Sequence, residues 1–147
     1  IMAYVHIAHD CIIGDHVILV NSVALAGHVE IGNWSIVSGL SAVHQFVKIG
    51  EHDMVCGGAM VRKDGPPFIT AAGEPVTYAG VNSVGLKRRG FSSVDVNSIQ
   101  NVYRIIYQSV RNISQALEVV KREHHADPTV SHILDFTHSS TTGLIRQ

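Results

Sequence analysis

An aliphatic residue recurs at every sixth position from Ile1 to Val61. The series runs Ile1, Ile7, Ile13, Leu19, Leu25, Ile31, Val37, Val43, Ile49, Val55 and Val61, without a slip of phase. The second position of the same hexads is mostly small (Ala8, Gly14, Ala26, Gly32, Ser38, Gly50). The fifth is small or β-branched (Val5, Cys11, Val17, Val23, Val29, Ser35, Ser41, Val47, Ala59). A helix repeats every ~3.6 residues and a half-buried strand every two, so neither keeps this phase. A parallel β-helix does. Each hexad supplies one short strand and one corner, and three hexads close one triangular coil. Large aliphatics fill the prism, small residues let the chain turn, and coils stack about 4.8 Å apart.

That phase also places polar side chains. The second, fifth and eighth hexads share a face and carry His9, His28 and His44, at spacings of 19 and 16. His44 takes a second position, where this chain otherwise prefers small residues. The stretch "VHIAHDC" adds His6 and sets Asp10 directly after His9. An imidazole exchanges a proton near neutral pH, and an adjacent carboxylate can orient it for that work. A ladder of solvated polar residues explains such a column equally well, as expected of His16, Trp34 and His52 on another face. Both readings stand at this level.

Composition excludes several classes. Net charge is −1 and the pI near 6.9, against a broad nucleic-acid surface. The most apolar stretch is broken by Asp15, His16, Asn21 and His28, so no integral membrane segment is expected. Cys11 and Cys56 lie in the second and tenth hexads, eight hexads apart. That is about 13 Å along the axis, beyond disulfide reach. Free thiols and no signal peptide suit a cytoplasmic chain, and Ile rather than Met at position 1 suits a fragment or a processed protein.

The hexads end at "KDGPPFITAAGEP". Three units follow: a prism over 1–66, a loop over 67–91 with the basic run Lys87-Arg88-Arg89, and a helical region over 92–147. The run is a solvated patch or a phosphate site. Ser92 is placed to cap a helix carrying Ile99, Val102, Tyr103, Ile106 and Val110 on its inner side. A second helix fits after Ser114 with Leu117 and Val120 inward, and Asp127-Pro128 announces a third. This region is expected to cover an end of the prism.

"HIAHDC", "AGHV", "AVHQF" and "GVNSVGLKRRGF", followed by "STTGLIR", occur here in that order. Together they resemble the C-terminal part of the acyl-carrier-protein:UDP-N-acetylglucosamine O-acyltransferases, which start lipid A synthesis. The resemblance implies a left-handed coil, a homotrimer with sites between neighbouring prisms, and transfer of an (R)-3-hydroxyacyl group from acyl carrier protein to the sugar 3-hydroxyl. It implies no cofactor and no metal. It makes His9 the general base, Asp10 its partner and the Gly27 N–H an oxyanion donor. His6, His28, His44 and Gln45 fall at substrate-contacting positions, Asn82, Arg88 and Arg89 near the nucleotide, and Gly57 near the far end of an acyl groove. Val84 and Pro75 depart from the pattern, where relatives often carry an acidic residue and a histidine. Three alternatives are an N-acyltransferase on the 3-O-acylated sugar, a zinc-dependent γ-carbonic anhydrase, and a non-catalytic hexapeptide scaffold.

Overall fold

In a computed structural model of the chain, which describes residues 1–124 and 126–147, the hexads build a parallel β-solenoid of about four turns. Two-residue strands recur every sixth position: β1 (His6–Ile7), β2 (Ile12–Ile13), β3 (Ile18–Leu19), β4 (Ala24–Leu25), β5 (Glu30–Ile31), β6 (Ile36–Val37), β7 (Ala42–Val43), β8 (Lys48–Ile49), β9 (Met54–Val55) and β10 (Met60–Val61). β1, β4, β7 and β10 stack in parallel on one face, β2, β5 and β8 on a second, and β3, β6 and β9 on a third. The register is the expected three hexads: His6 faces Ala24, Ala24 faces Ala42, and Ala42 faces Met60. The aliphatic position points inward, and Leu19, Leu25, Ile31, Val37, Val43, Ile49, Val55 and Val61 are each at most 2% exposed. Each such side chain contributes about 2 kcal/mol by leaving water.

The corners are built differently from the expectation. The small second and fifth positions only flank the turn, which the third and fourth positions make. The fourth is left-handed throughout: Tyr4, Asp10, His16, Ser22, His28, Trp34, Leu40, Phe46 and His52 have φ between 58° and 64°. None is β-branched, the class for which that region is a genuine outlier. The conformation costs about 1–2 kcal/mol per residue. From Ser22 onward it aims the N–H at the carbonyl of the third-position residue one coil earlier. His28 donates to His9 at 3.0 Å, Leu40 to Asn21 at 3.0 Å and Phe46 to Gly27 at 3.1 Å.

Within the segment read as a loop, 67–91, the chain forms a hairpin and a short helix: β11 (Ile69–Ala72), β12 (Thr77–Val81) and α1 (Ser83–Arg88). β11 continues the prism, pairing in parallel with β9 in a register of 16 (Thr70 with Met54), and β12 returns antiparallel to it. Pro66 and Pro67 accompany this shortened coil, and the lost phase hid the strand.

Helices α2 (Ser93–Gln108), α3 (Ile113–His124) and α4 (Pro128–Ser139) follow. Ser92 caps α2 by accepting the Asp95 N–H at 3.1 Å, and Asp127 caps α4 by accepting that of Thr129 at 2.9 Å. Ile99, Val102, Tyr103 and Ile106 are buried as their spacing requires. Val110 is fully exposed instead, because α2 stops at Gln108. The Tyr103 hydroxyl donates to the Pro67 carbonyl at 2.5 Å, which seats α2 on the last coil. Buried Asp64 accepts from the Lys48 N–H at 2.8 Å, Ser140 at 2.5 Å and Thr142 at 2.6 Å, tying the C-terminal segment back to the prism. Cys11 and Cys56 are free thiols, as the coil spacing required.

Asp53 occupies an inward fifth position and is 1% exposed. One carboxylate oxygen accepts the Ile69 N–H at 3.0 Å, while the other has no partner among the described residues. Burial pushes its pKa well above the carboxylate range, against the pull of backbone donors. The folded chain therefore keeps a proton that the unfolded chain releases near pH 3.9, roughly the ordinary aspartate value. This contribution to stability is full below that pH and declines as pH rises toward the folded value. Asp53→Asn removes the dependence. The Tm of the variant relative to the parent should rise as pH increases above about 4, and a difference that stays constant with pH would overturn the assignment.

Candidate active site

The corner between the β1 and β2 faces gathers the first group of polar residues. His9, Gly27 and Gln45 occupy its third positions, one above another, and Asp10, His28 and Phe46 its fourth. The histidine column is thus two adjacent columns. His28 stands over Asp10 rather than over His9, and His44 sits one position before the turn. The His9 and His28 rings meet edge to face with centroids 5.1 Å apart, and His28 stacks on Phe46 at 4.8 Å. His6 lies on β1, on the face that leads into this corner.

The left-handed turn brings a neighbouring pair together. His9 Nδ1 is 2.9 Å from an Asp10 carboxylate oxygen, and His28 Nε2 lies 3.7 Å from the same oxygen. The hydrogen bond from His9, helped by the nearby His28, holds the Asp10 carboxyl below its ordinary pKa. Asp10 is then ionised at neutral pH and accepts the His9 Nδ1–H, a contact that turns Nε2 of the exposed ring away from the carboxylate. Donor atoms of His9, Asp10 and His28 lie within 4.8 Å of one another, close enough to share a cation. His44 is not in that group, so the three-imidazole set of the carbonic anhydrase reading does not assemble among the described residues.

Gly27 completes the corner. A Cβ there would sit 2.7 Å from the His9 ring, so only glycine leaves the imidazole its place. Its N–H makes no hydrogen bond among the described residues and remains available as a donor.

The remaining candidates lie elsewhere. Asn82 accepts the Gly85 N–H at 3.3 Å as the cap of α1 and donates to the His52 carbonyl at 2.9 Å. Arg88 ends α1, and Arg89 follows with its guanidinium 5.7 Å from the Trp34 ring centroid and 3.2 Å from His52 Nδ1. These residues belong to the next corner, where His16, Trp34, His52 and Phe68 form a ladder of near-parallel rings. One chain does not bring them to His9. Gly57 is on the third corner, at the far end of the β1 face, and its backbone accepts a side chain: φ is not left-handed and the nearest atom to an added Cβ is 3.4 Å away.

His16 and Trp34 are exposed, as expected of a solvated ladder, but His52 departs from that expectation, being only 9% exposed. Burial first, then the charge of Arg89 and the presence of His132, lower its pKa to about 4. The sequence signal was present, since a fourth position one full coil after Trp34 must stack on it. What the period could not show is that Arg89 and Phe91 fold back over the ladder.

Stacked hexad corners place the chain in the hexapeptide-repeat solenoid class, with an exposed histidine–carboxylate pair on one corner as its candidate site. The match is more specific than that class. Residues 64–145 fit the model of the UDP N-acetylglucosamine O-acyltransferase family, domain 2. An acyl-[acyl-carrier-protein]--UDP-N-acetylglucosamine O-acyltransferase of Burkholderia mallei is 45% identical over 99% of this chain and 57% of its own length. The crystal structure of LpxA, a UDP-N-acetylglucosamine acyltransferase from Bacteroides fragilis, superposes with a TM-score of 0.96 at 44% identity, covering 99% of this chain and 57% of that one. The Francisella novicida UDP-N-acetylglucosamine acyltransferase gives 0.95 at 39% identity, covering 100% and 54%. The chain belongs to the UDP-N-acetylglucosamine O-acyltransferase family, and its coil is the left-handed β-helix of those structures. It spans a little over half the length of the relatives it matches.

The close approach at Gly27 has a direct test. Gly27→Ala should fold, because the obstructed group is an exposed ring rather than backbone, but the imidazole must swing away. The His9 ring-proton resonances should shift while those of His16 stay in place. An unmoved His9 would show that the corner has slack that the distances deny.

Proposed function

We propose that this chain carries the catalytic corner of an acyltransferase that moves an (R)-3-hydroxyacyl group from acyl carrier protein to the 3-hydroxyl of UDP-N-acetylglucosamine, the first step of lipid A synthesis. The observation that carries the reading is the His9–Asp10 pair with Gly27 against it. A sugar hydroxyl is a poor nucleophile, so its proton must leave as it attacks the thioester. His9 Nε2 takes that proton while Asp10 holds Nδ1–H and stabilises the imidazolium. The oxygen bonds to the thioester carbonyl carbon, and the Gly27 N–H receives the developing oxyanion. Collapse breaks the carbon–sulfur bond, and the carrier thiolate regains a proton from His9. No metal or cofactor enters these steps. His6, His28, His44 and Gln45 surround the sugar, while Asn82, Arg88 and Arg89 take the nucleotide and its phosphates.

The separation of the two groups supports a site shared between copies of the chain, as in the homotrimer that the resemblance implies. Asn82 and Arg89 stand at one corner and His9 at the next, so a second copy must set its basic loop beside the first copy's histidines. No described helix is long and apolar enough to cross a membrane; it is the proposed use of acyl carrier protein and a UDP-sugar that supports a cytoplasmic site of action.

In a catalytically complete chain, His9→Ala should lower kcat by about 10²–10⁴ without dissolving the trimer. Near-normal turnover would remove His9 from the role of base. The acceptor is checked in the same assay by offering UDP-N-acetylglucosamine against its 3-amino analogue.

Acyl length is the second expectation. The β1 face between the His9 corner and Gly57 carries Ala24, Ala26 and Ala42 beside His6, His44 and Met60, and we read it as a strip along which a long acyl chain, of fourteen carbons or more, lies against the neighbouring prism. Each methylene buried there adds about 0.8 kcal/mol. Gly57→Met should block the strip and shift donor preference toward shorter chains, read by donor competition. Identical chain-length profiles from a folded variant would exclude a ruler at Gly57.

A further inference from the structure

His52 touches both ends of the helix that carries the basic run. Its carbonyl accepts the Asn82 side-chain N–H at 2.9 Å, and Asn82 caps the start of α1. Its ring faces Arg89, the residue that closes α1, with Arg89 Nη1 3.2 Å from Nδ1. A guanidinium only donates, so Nδ1 must be the unprotonated nitrogen. Packing alone does not call for an imidazole here: Phe46 and Phe68 adopt the same left-handed conformation, at φ 64° and 74°, and Phe68 stacks in this ladder. A phenyl ring would stack without the desolvation of two nitrogens. Burial keeps His52 neutral at physiological pH, the state in which Nδ1 can accept.

We infer that His52 is a positioning residue for nucleotide binding: its Nδ1 orients the Arg89 guanidinium, stacked beside Trp34, so that its remaining N–H donors face the diphosphate of the acceptor. This rests on the proposed role of Arg89. A guanidinium has five N–H donors in a fixed fork. One directed to His52 and a face turned to Trp34 leave a restricted set for an anion, so less rotamer freedom is lost on binding.

The test uses the catalytically complete trimer and UDP-N-acetylglucosamine, with KM and kcat measured separately. His52→Phe keeps the stack and the backbone carbonyl but removes the acceptor. It should raise KM for the nucleotide sugar about tenfold, the scale of one hydrogen bond to a charged group, with kcat and KM for the acyl donor unchanged. His52→Asn places an acceptor oxygen near the position of Nδ1, suits a left-handed backbone and should recover most of the affinity. Arg89→Ala should raise KM at least as much, and adding His52→Phe to it should change nothing further. An unchanged KM in His52→Phe, or full additivity with Arg89→Ala, overturns the positioning role while leaving Arg89 as a ligand. An unchanged KM in Arg89→Ala overturns the phosphate reading and this inference with it. Should His52→Phe fail to fold, the Nδ1 resonance of His52 in the parent, which must carry the shift of an unprotonated, hydrogen-bonded nitrogen and move in Arg89→Ala, decides the same question.

Discussion

Everything in this chain hangs on one repeated hydrogen bond at the corner. A left-handed residue presents its N–H to the carbonyl of the coil before it, at His28, Leu40, Phe46 and their equivalents. Without that bond the left-handed conformation would be a net cost at every corner. With it, corner residues of successive coils lie directly above one another. The geometry of the candidate site follows from the same bond. Its partners on the first corner include His28 N–H and the His9 carbonyl, so the backbone that locks two coils together also fixes the His9 and His28 rings edge to face.

The solenoid was legible because its core is periodic. An unbroken run of aliphatic residues in one phase, from Ile1 to Val61, admits no other common fold, and the face assigned to His9 and His28 followed from counting. The count failed where the chain stopped being periodic. Pro66 and Pro67 accompany a shortened coil, so β11 carried no hexad signal although it continues the stack. Val110 fitted a helical spacing, yet α2 ends at Gln108. Short-range pattern cannot see such an ending.

The site divides in the same way. His9, Asp10 and Gly27 could be placed from the resemblance, and the geometry explains why those residue types are needed. His52 could not. Its register was clear, but its importance comes from Asn82 and Arg89, far downstream in the chain, folding back onto it. Asp53 was missed: its inward position can be counted from the register, but its isolation from a second partner is a property of the folded chain.

The stacked corners also constrain how the gene for such a protein can change length. An insertion of one hexad would carry every later side chain to the next corner and separate His9 from Gly27, whereas a whole coil of three hexads could enter above the site and leave it intact. Irregular insertions are tolerable only where they bulge outward from a turn. Descent within this architecture should therefore be quantised: coils gained or lost entire, loops free at the corners, and the residues of one corner kept in phase across prisms of very different height.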